Sequence, residues 1–180
     1  MAKATGLEAG DAVVVTGASQ GIGRAIALDL AARGAKLALW DVTADKCAET
    51  AAMCRKAGAQ AIAAGVDVSD RDQVLAAAEK AAAAYGSIFG LVSNAGIFPR
   101  ASILESTPQM WRDVLGVNLL GNVFCAQAVL PSMIAAKRGA IVTVASGRAL
   151  QGTPRSAFPT EYRRGRRGVG LQSKSFARRP

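Results

Sequence analysis

Five short apolar runs alternate with longer, mostly alanine-rich segments, and this alternation limits the possible fold more than any other feature of the sequence. The runs span 12–16, 36–41, 60–66, 88–93 and 140–145. We expect each run to be a buried strand and the segments between them to contain helices. Strands that alternate with helices form parallel sheets with right-handed crossovers and helices on both faces. The sequence therefore predicts a doubly wound α/β domain, in which ligands bind at the carboxyl ends of the strands.

Capping and breaking residues set the expected ends of the helices. We expect four helices, which end near Arg33, Lys56, Tyr85 and Ala136. Thr43, Ser69 and Thr107 are the expected N-caps of the last three, because a side-chain oxygen there accepts a bond from a free backbone N–H. Pro131 lies inside the last helix and predicts a kink or a break.

The residue types that are missing exclude several kinds of chemistry. The sequence has no histidine, which excludes Ser-His-Asp and Cys-His catalysis and every histidine-ligated metal. Its three cysteines form no Cys-x-x-Cys pair, so we expect neither a zinc ribbon nor a disulfide framework, and reduced thiols fit the cytoplasm. No uninterrupted run of about 18 apolar residues occurs, so we expect no membrane span. Residues 1–11 do not have the pattern of a signal peptide.

The positive charge is concentrated near the end of the sequence. The net charge is +9, of which residues 155–180 carry +7 and residues 1–154 carry +2. A basic segment can attract nucleic acid or an anionic membrane. No nucleic-acid motif and no interleaved aromatic residues accompany the arginines, so we do not expect a nucleic-acid partner.

A glycine-rich loop, Thr16-Gly-Ala-Ser-Gln-Gly-Ile-Gly23, joins the first predicted strand to the first predicted helix. Glycines at such a position allow a tight turn and a close approach of the backbone to a pyrophosphate, while the helix N-terminus offers free N–H groups. No Gly-Lys-Ser/Thr follows, so the loop is not a Walker A motif. A purely structural turn is the alternative. The predicted cofactor contacts are Gly17, Ser19, Gln20, Gly21, Ile22 and Gly23.

Asp41 ends the second predicted strand, 18 residues after Gly23. A carboxylate there can accept hydrogen bonds from both hydroxyls of the adenosine ribose, and it repels a 2′-phosphate. The sequence therefore predicts NAD as the cofactor in preference to NADP. A helix cap or a solvated turn is the alternative role of Asp41.

Further short motifs follow the later strands or lie in the last helix. They are Asp67-Val68, Ser93-Asn94-Ala95-Gly96, Val117-Asn118-Leu119 and Ser146. In this order, and with the glycine loop, they closely resemble the short-chain dehydrogenase/reductase family over residues 11–154. The resemblance implies the Rossmann fold, a nicotinamide cofactor and a small-molecule alcohol or ketone substrate. The helix over 107–136 resembles one that the family uses for subunit contacts, which makes a homo-oligomer possible.

The resemblance also implies roles for the residues at the cofactor. Asp67 would bind the adenine amino group and Val68 would supply a backbone N–H, although Asp67 could instead cap the next helix. Asn94 would either tie neighbouring strands together or contact the cofactor directly. Ala95 and Gly96 would let the backbone approach the cofactor.

The catalytic residues that the resemblance implies are Asn118, Ser146 and Tyr162. Asn118 would hold a water in a proton relay, with a plain surface asparagine as the alternative. Ser146 would bond the substrate oxygen, or it could merely start a turn. Tyr162 would be the acid–base group, since the other tyrosine, Tyr85, lies on the wrong side of the motif order. The family places a lysine four residues after this tyrosine, where this sequence has Arg166.

The sequence departs from the family after residue 154. We expect a single dinucleotide-binding domain over 1–180 in which the family's C-terminal strands are missing and residues 155–180 form a divergent, arginine-rich segment. That composition leads to the hypothesis of a disrupted reading frame or a truncated product. Two functions remain open. The first is hydride transfer between NAD and a secondary alcohol or ketone through a Ser-Tyr site, and the second is NAD binding without catalysis.

Overall fold

The computed structural model describes residues 6–145. This part of the chain forms a five-stranded parallel sheet flanked by helices. The strands are β1 (Ala12–Thr16), β2 (Lys36–Asp41), β3 (Ala61–Gly65), β4 (Ile88–Ser93) and β5 (Ala140–Thr143). The helices are α1 (Gly21–Ala32), α2 (Ala44–Lys56), α3 (Arg71–Tyr85), α4 (Pro108–Leu115) and α5 (Gly121–Ala136), with a π-helical turn (Gly116–Leu120) between α4 and α5. The doubly wound α/β class predicted from the alternation is confirmed.

The direction of winding reverses at β1. The strand order is β3-β2-β1-β4-β5, so β1 is hydrogen-bonded to β2 on one side and to β4 on the other. In the parallel register Thr16 pairs with Trp40, and Val15 pairs with Val92. The carboxyl ends of β1, β2 and β4 therefore meet at one edge of the sheet. A crevice at such a reversal point is where doubly wound sheets bind their ligands.

The core has two layers, one on each face of the sheet. Alternate residues of the central strands point to opposite faces. Val14 and Trp40 belong to the layer that contains buried residues of α3 and α5, whereas Val15 and Leu39 belong to the layer that contains those of α1 and α2. All residues of β1 and β4 are buried. These strands thus give the carboxyl edge a rigid base.

The N-cap of α3 is Asp70, so the prediction of Ser69 is wrong. One carboxylate oxygen of Asp70 accepts bonds from the backbone N–H groups of Asp72, at 3.0 Å, and Gln73, at 3.2 Å. The hydroxyl of Ser69 instead donates to Asp67 Oδ1 at 2.7 Å. Ser69 is therefore engaged by the preceding loop, and the next residue along the chain caps the helix.

The other two predicted caps have different outcomes. Thr107 is confirmed as the N-cap of α4, because its hydroxyl accepts a bond from the Met110 N–H at 3.2 Å. Thr43 occupies the N-cap position of α2, but its side chain makes no capping bond there. Its backbone N–H donates to Asp41 Oδ1 at 2.9 Å. The start of α2 is thus tied to the end of β2 by Asp41.

The predicted break at Pro131 is not found, since α5 continues through that residue to Ala136. The departure from α-helical geometry lies earlier, in the π-helical turn Gly116–Leu120. A π-helical turn contains one extra residue and often occurs at functional sites. Its centre is Asn118, which the sequence analysis selected for another reason.

One helix in the described part of the chain is long and apolar enough to cross a membrane, by length and composition alone. It runs over Pro108–Ala136. Its most apolar 18-residue window has a mean hydropathy of 1.6, and 28% of that window is buried. The buried side chains of α5 include Cys125, Val129 and Met133, which pack in the core layer beside α3 and β4. Because helices that pack on a sheet pass the same test, the absence of a membrane span stays a prediction.

Candidate functional site

The glycines of the loop between β1 and α1 are required for two different physical reasons. Gly17 and Gly21 have positive φ angles of 65° and 54°, which side chains other than glycine rarely adopt. Gly23 is required for space, because a Cβ there would lie 2.7 Å from Asn94 Nδ2 and closer still to the Gly17 carbonyl oxygen. The loop is therefore held close to the end of β4 at Gly17 and Gly23, whereas at Gly21 the space beside the backbone is open.

The N-terminus of α1 provides free hydrogen-bond donors at this loop. Gln20 is the N-cap residue in extended conformation, and its side chain makes no capping bond. The first turn has no acidic residue, and both Gly21 and Ile22 are exposed. Uncapped N–H groups at the positive end of a helix dipole favour a bound anion. This end of α1 fits the pyrophosphate of a dinucleotide.

Asp41 connects β2 to the glycine loop. Its Oδ2 accepts a bond from the Ser19 N–H at 3.1 Å, and its Oδ1 accepts one from the Thr43 N–H at 2.9 Å. Each carboxylate oxygen can accept a further bond, and the residue is only partly buried. The turn role proposed as an alternative is therefore present, and the carboxylate keeps acceptor capacity for ribose hydroxyls.

Arg24 is a further residue of this site that sequence reasoning missed. Its guanidinium donates to the Ser19 carbonyl and, at 3.0 Å, to Thr50 Oγ1, and it lies 3.7 Å from a carboxylate oxygen of Glu49. The peptide groups of Ser19 are thus held by Asp41 on the amide side and by Arg24 on the carbonyl side. An arginine in the first turn of a helix has no sequence pattern that would reveal these partners.

Asn94 ties the end of β4 to the end of β1. Its Nδ2 donates to the carbonyls of Thr16 and Gly17, both at 3.1 Å. The hydroxyl of Thr16 in turn accepts bonds from the N–H groups of Asn94 and Ala95, both at 3.0 Å. The strand-tying role is therefore present, and contact of Asn94, Ala95 and Gly96 with a cofactor stays a prediction. Thr16 could have been found from the sequence, because it places a hydroxyl at the last position of a buried strand. A buried hydroxyl needs a hydrogen-bond partner.

Asp67 and Val68 lie beyond β3, next to the end of β2. One oxygen of Asp67 accepts bonds from the backbone N–H and the hydroxyl of Ser69, and its Oδ2 has no hydrogen bond within residues 6–145. Because Asp70 caps α3, the alternative role of Asp67 as that cap is wrong. Val68 is buried, and a Cβ on Gly121 would lie 2.7 Å from its Cγ2. The free oxygen of Asp67 can accept a bond from an amino group.

Asn118 is 3% exposed, so the alternative of a plain surface asparagine is wrong. Its Oδ1 accepts the Ile97 N–H and its Nδ2 donates to the Ile97 carbonyl, both at 2.9 Å. Its own carbonyl accepts a bond from Asn122 Nδ2 at 2.7 Å. Asn118 thus joins the π-helical turn to the loop that follows β4.

The remaining two predicted catalytic residues, Ser146 and Tyr162, lie outside the described residues, as does Arg166. The last described residues lie beside the candidate site. Thr143 pairs with Ser93 at the end of β4, and the Val144 N–H donates to the Ser93 carbonyl at 2.9 Å. The described residues therefore include all of the predicted cofactor-binding residues and one of the three predicted catalytic residues, Asn118.

The buried cysteines are poor nucleophiles. Burial raises the pKa of Cys47 to about 11, with a further contribution from the negative charge of Asp41. Burial raises the pKa of Cys125 to about 12. Both thiols are therefore protonated near neutral pH. Within residues 6–145, no cluster of three or more candidate metal ligands occurs among histidine, cysteine and the acidic residues.

Known proteins are similar to this chain in sequence and in fold. The family model described as short chain dehydrogenase matches residues 11–158. Estradiol 17-beta-dehydrogenase 11 of Mus musculus is 41% identical over 138 residues, which is 77% of this chain and 46% of that protein. The chain thus spans about half the length of this curated relative.

Two solved structures have the same fold. A metagenomic short-chain oxidoreductase in complex with NADP has a TM-score of 0.84 and 33% identity, over 89% of this chain and 73% of the other. Carveol dehydrogenase from Mycobacterium avium in complex with NAD has a TM-score of 0.83 and 25% identity, over 89% of this chain and 63% of the other.

Proposed function

This chain belongs to the short-chain dehydrogenase family, and from that premise we propose that it is an oxidoreductase that transfers a hydride between NAD and a secondary alcohol or ketone. The observation that carries the proposal is the arrangement at the carboxyl edge. The loop of close-packed glycines leads into the uncapped N-terminus of α1. The Asp41 carboxylate is joined to this loop by the hydrogen bond from the Ser19 N–H. Each element fits one part of a dinucleotide.

In this proposal different residues of the chain bind different parts of the cofactor. The loop Gly17–Gly23 and the first turn of α1 hold the pyrophosphate. Asp41 accepts the hydroxyls of the adenosine ribose, and Asp67 and Val68 bind the adenine. The two structural neighbours contain different cofactors, NAD in one and NADP in the other. The proposed preference for NAD therefore rests on Asp41, whose negative charge repels a 2′-phosphate.

When bound, the nicotinamide ring supplies the hydride donor or acceptor. In the proposed mechanism Ser146 hydrogen-bonds the substrate oxygen, and Tyr162 exchanges a proton with it. The positive charge of Arg166 favours the phenolate over the phenol. Asn118 contributes to the proton relay at the π-helical turn. The names of the relatives, which include estradiol and carveol, support a small alcohol or ketone as the substrate.

The second candidate function is binding of NAD without turnover. The observation that favours it is Arg166, where the family has lysine. A guanidinium is a planar fork, and it does not replace the compact ammonium of lysine at a site that needs a point charge. The protein would then act through its bound nucleotide or as an interaction partner.

Titration and turnover measured together separate these functions. We expect calorimetric titration of the full chain to give tighter binding of NAD than of NADP. A panel of secondary alcohols with NAD, followed through NADH absorbance, then tests hydride transfer. Turnover supports the oxidoreductase, and binding without turnover supports the second function. If the chain binds neither dinucleotide, both functions are wrong.

We also propose a cytoplasmic protein that forms homo-oligomers through the helix over 108–136, without a membrane span. Several apolar side chains on this helix are exposed in the single chain, among them Leu120 at 46% and Ile134 at 68%. A second copy of the helix would cover such side chains. Sedimentation of the purified chain tests the oligomer, and a strictly monomeric species at high concentration contradicts it.

A further inference from the structure

Asn122 is a buried asparagine inside a helix, which is an unfavourable place for this residue. Its exposure is 5%, and asparagine is a weak helix former. Its Nδ2 donates to the Asn118 carbonyl at 2.7 Å. Its Oδ1 is also buried and has no hydrogen-bond partner among the described residues. A buried amide that is only half satisfied costs free energy, so an apolar residue would be the more stable choice at this position.

The hydrogen bond from the Asn122 side chain ends on the turn where the helix changes from α-helical to π-helical geometry. The turn Gly116–Leu120 is π-helical, and the Gly121 N–H donates to the Gly116 carbonyl, five residues back. Such a turn disturbs the regular ladder of bonds between each carbonyl and the N–H four residues later. The side chain of Asn122 supplies an additional donor to a carbonyl of this turn, four residues before it. It therefore stabilises the π-helical turn in its present position.

The side chain of Asn118 continues this connection to the β4 loop. It makes two bonds to the backbone of Ile97, which directly follows Ala95 and Gly96. Ala95 is in turn bonded to Thr16 at the end of β1. A series of amide contacts thus runs from α5 through the π-helical turn to the loop after β4.

A close contact on the other side fixes how near the helix lies to the sheet. Gly121 packs so closely on Val68 that a Cβ would lie 2.7 Å from the valine Cγ2. At Gly121 the helix thus packs on Val68 in the loop that follows β3, which we call the β3 loop. It is bonded to the loop that follows β4, the β4 loop, through Asn118. Asn122 is next in sequence to the first contact and one helical turn from the second.

The strand order shows which half of a dinucleotide this series would affect. Asp41 ends β2 on one side of β1, and the β4 loop lies on the other side. A dinucleotide spans the crevice between these two sides. If its adenosine half lies over Asp41, its nicotinamide half lies beside the β4 loop.

We propose that Asn122 is a positioning residue for the reaction assigned above, which holds Asn118 and the β4 loop in place for the nicotinamide half of the cofactor. The consequence for the cofactor rests on the proposed function. The connection between Asn122 and Ile97 rests only on the bonds described here. Asn122 itself does not touch the reacting atoms in this proposal.

Two substitutions at this position test the role of the donor. Asn122→Leu keeps the branched shape of the side chain, with a somewhat larger volume, and removes the donor. Asn122→Thr is the rescue variant, because a threonine hydroxyl can donate to the carbonyl four residues before it in a helix. Cys125→Ala is the matched control, since Cys125 is buried on the same helix and outside the series. If Asn122→Leu does not fold, Asn122→Ala replaces it.

The first measurement compares the dissociation constants of NADH and AMP by calorimetry. We expect Asn122→Leu to weaken NADH binding by up to about tenfold, as for the loss of one buried hydrogen bond, and to leave AMP binding unchanged. Asn122→Thr and Cys125→Ala should bind both ligands like the wild type. An equal loss for both ligands, or no difference between the leucine and threonine variants, overturns the proposal.

The second measurement needs no ligand. Hydrogen exchange of the Ile97 amide should accelerate in Asn122→Leu but not in Asn122→Thr or Cys125→Ala. If the wild type binds neither NADH nor AMP, the proposed function fails together with the role for the cofactor. The exchange data then still decide whether Asn122 holds the β4 loop, and an unchanged Ile97 amide would show that it does not.

Discussion

At the scale of single residues, the candidate site is made by polar side chains that serve the backbone first and have capacity left for a ligand. Asp41 bonds the Ser19 and Thr43 N–H groups and can still accept further bonds. Asn94 is committed to the carbonyls of Thr16 and Gly17. Substitutions at the site therefore change the shape of the loop as well as its contacts, and tests must separate the two effects.

The cofactor preference can be tested at Asp41. Asp41→Ala removes the acceptor for the ribose hydroxyls and the charge that repels a 2′-phosphate. We expect NAD binding to weaken by about tenfold or more, in line with the loss of a charged hydrogen bond, and the preference over NADP to narrow. Titration with both dinucleotides measures this. Asp45→Ala is a control on the same side of the sheet, in the first turn of α2. A wild type that binds NADP more tightly would show that the role of Asp41 is misassigned.

The acid–base assignment can be tested at Tyr162. Tyr162→Phe should abolish turnover and leave NAD binding intact, because the phenol touches the substrate oxygen in the proposed mechanism. Arg166→Lys should raise turnover, since the ammonium of lysine is the compact charge that the family uses. General acid–base groups contribute about 10²–10⁴ in rate, so both changes are measurable in an NADH absorbance assay. If both variants match an active wild type, Tyr162 is not the acid–base group.

The sequence predicts the residues whose role depends on position along the chain. The glycine loop follows β1 and Asp41 is the last residue of β2, so both could be found from their order along the chain. Arg24 and Asn122 could not, because their partners lie on other elements or on a turn whose π-helical geometry has no local pattern. The function of such residues depends on which carbonyls the fold brings to them.

At the scale of elements, the loop between β3 and α3 shows how neighbouring polar residues divide the available bonds. Asp67, Ser69 and Asp70 all precede α3, and the sequence predicts Ser69 as its cap, with Asp67 as the alternative. The choice between them depends on the path of the loop, in which Ser69 donates to Asp67 and only Asp70 faces the free N–H groups. Sequence reasoning placed the helix correctly and its cap one residue too early.

The cap of α3 gives a prediction for the pH dependence of stability. Hydrogen bonds from the N–H and side chain of Gln73 hold the pKa of Asp70 below its ordinary value of 3.8. A lowered pKa means that the charged cap contributes its full stability above the ordinary value and loses it as the pH falls through the lowered one. Asp70→Ala should therefore reduce the melting temperature at pH 7, and the difference from wild type should shrink below pH 3.8. A difference that stays constant over this range contradicts the capping role.

The contact between α5 and the β3 loop can be tested at Gly121. Gly121→Ala places a Cβ 2.7 Å from Val68 Cγ2 and 3.2 Å from the Val68 carbonyl oxygen, neither of which can move freely. We expect a loss of about 1–3 kcal/mol in the free energy of unfolding, as for overpacking of a tight core contact. Urea unfolding measures it. Gly116→Ala is the control, since its Cβ would lie 3.4 Å from the Cβ of Ser69, an ordinary contact. Equal effects of the two substitutions would show that the close packing at Gly121 is not required.

At the scale of the whole described chain, the sheet could be predicted because the apolar pattern specifies each strand by itself. The alternation of strands and helices, together with the rule for right-handed crossovers, leaves few possible topologies. The structure has strands at all five predicted runs, with ends that differ by at most two residues. The helix over 108–136 is different, because its apolar face, its π-helical turn and its continuation through Pro131 depend on tertiary packing.

A cluster around Arg138 joins three distant parts of the described chain. The guanidinium bonds both carboxylate oxygens of Asp11, lies 3.7 Å from a carboxylate oxygen of Glu8, and stacks over the ring of Phe89 with 4.3 Å to the ring centroid. It thereby links the segment before β1 and the strand β4 to the turn between α5 and β5. The bond to Asp11 raises the pKa of Arg138 above its ordinary value, so the guanidinium keeps its positive charge at every pH at which the protein is folded.

Removing this guanidinium should loosen the sheet at its amino-terminal edge. We expect Arg138→Ala to lower the free energy of unfolding by about 1–3 kcal/mol, because paired hydrogen bonds to a charged group and a stacked ring are lost together. Arg33→Ala is the matched control, since Arg33 pairs with Asp29 on the exposed surface of α1, where such a pair contributes about 0.3–0.5 kcal/mol. Arg138→Lys should recover only part of the loss, because an ammonium cannot reproduce the planar fork that bonds both oxygens. Urea unfolding of the four proteins at one pH measures these differences, and equal losses for Arg138→Ala and Arg33→Ala would show that the Arg138 cluster acts only as a surface ion pair.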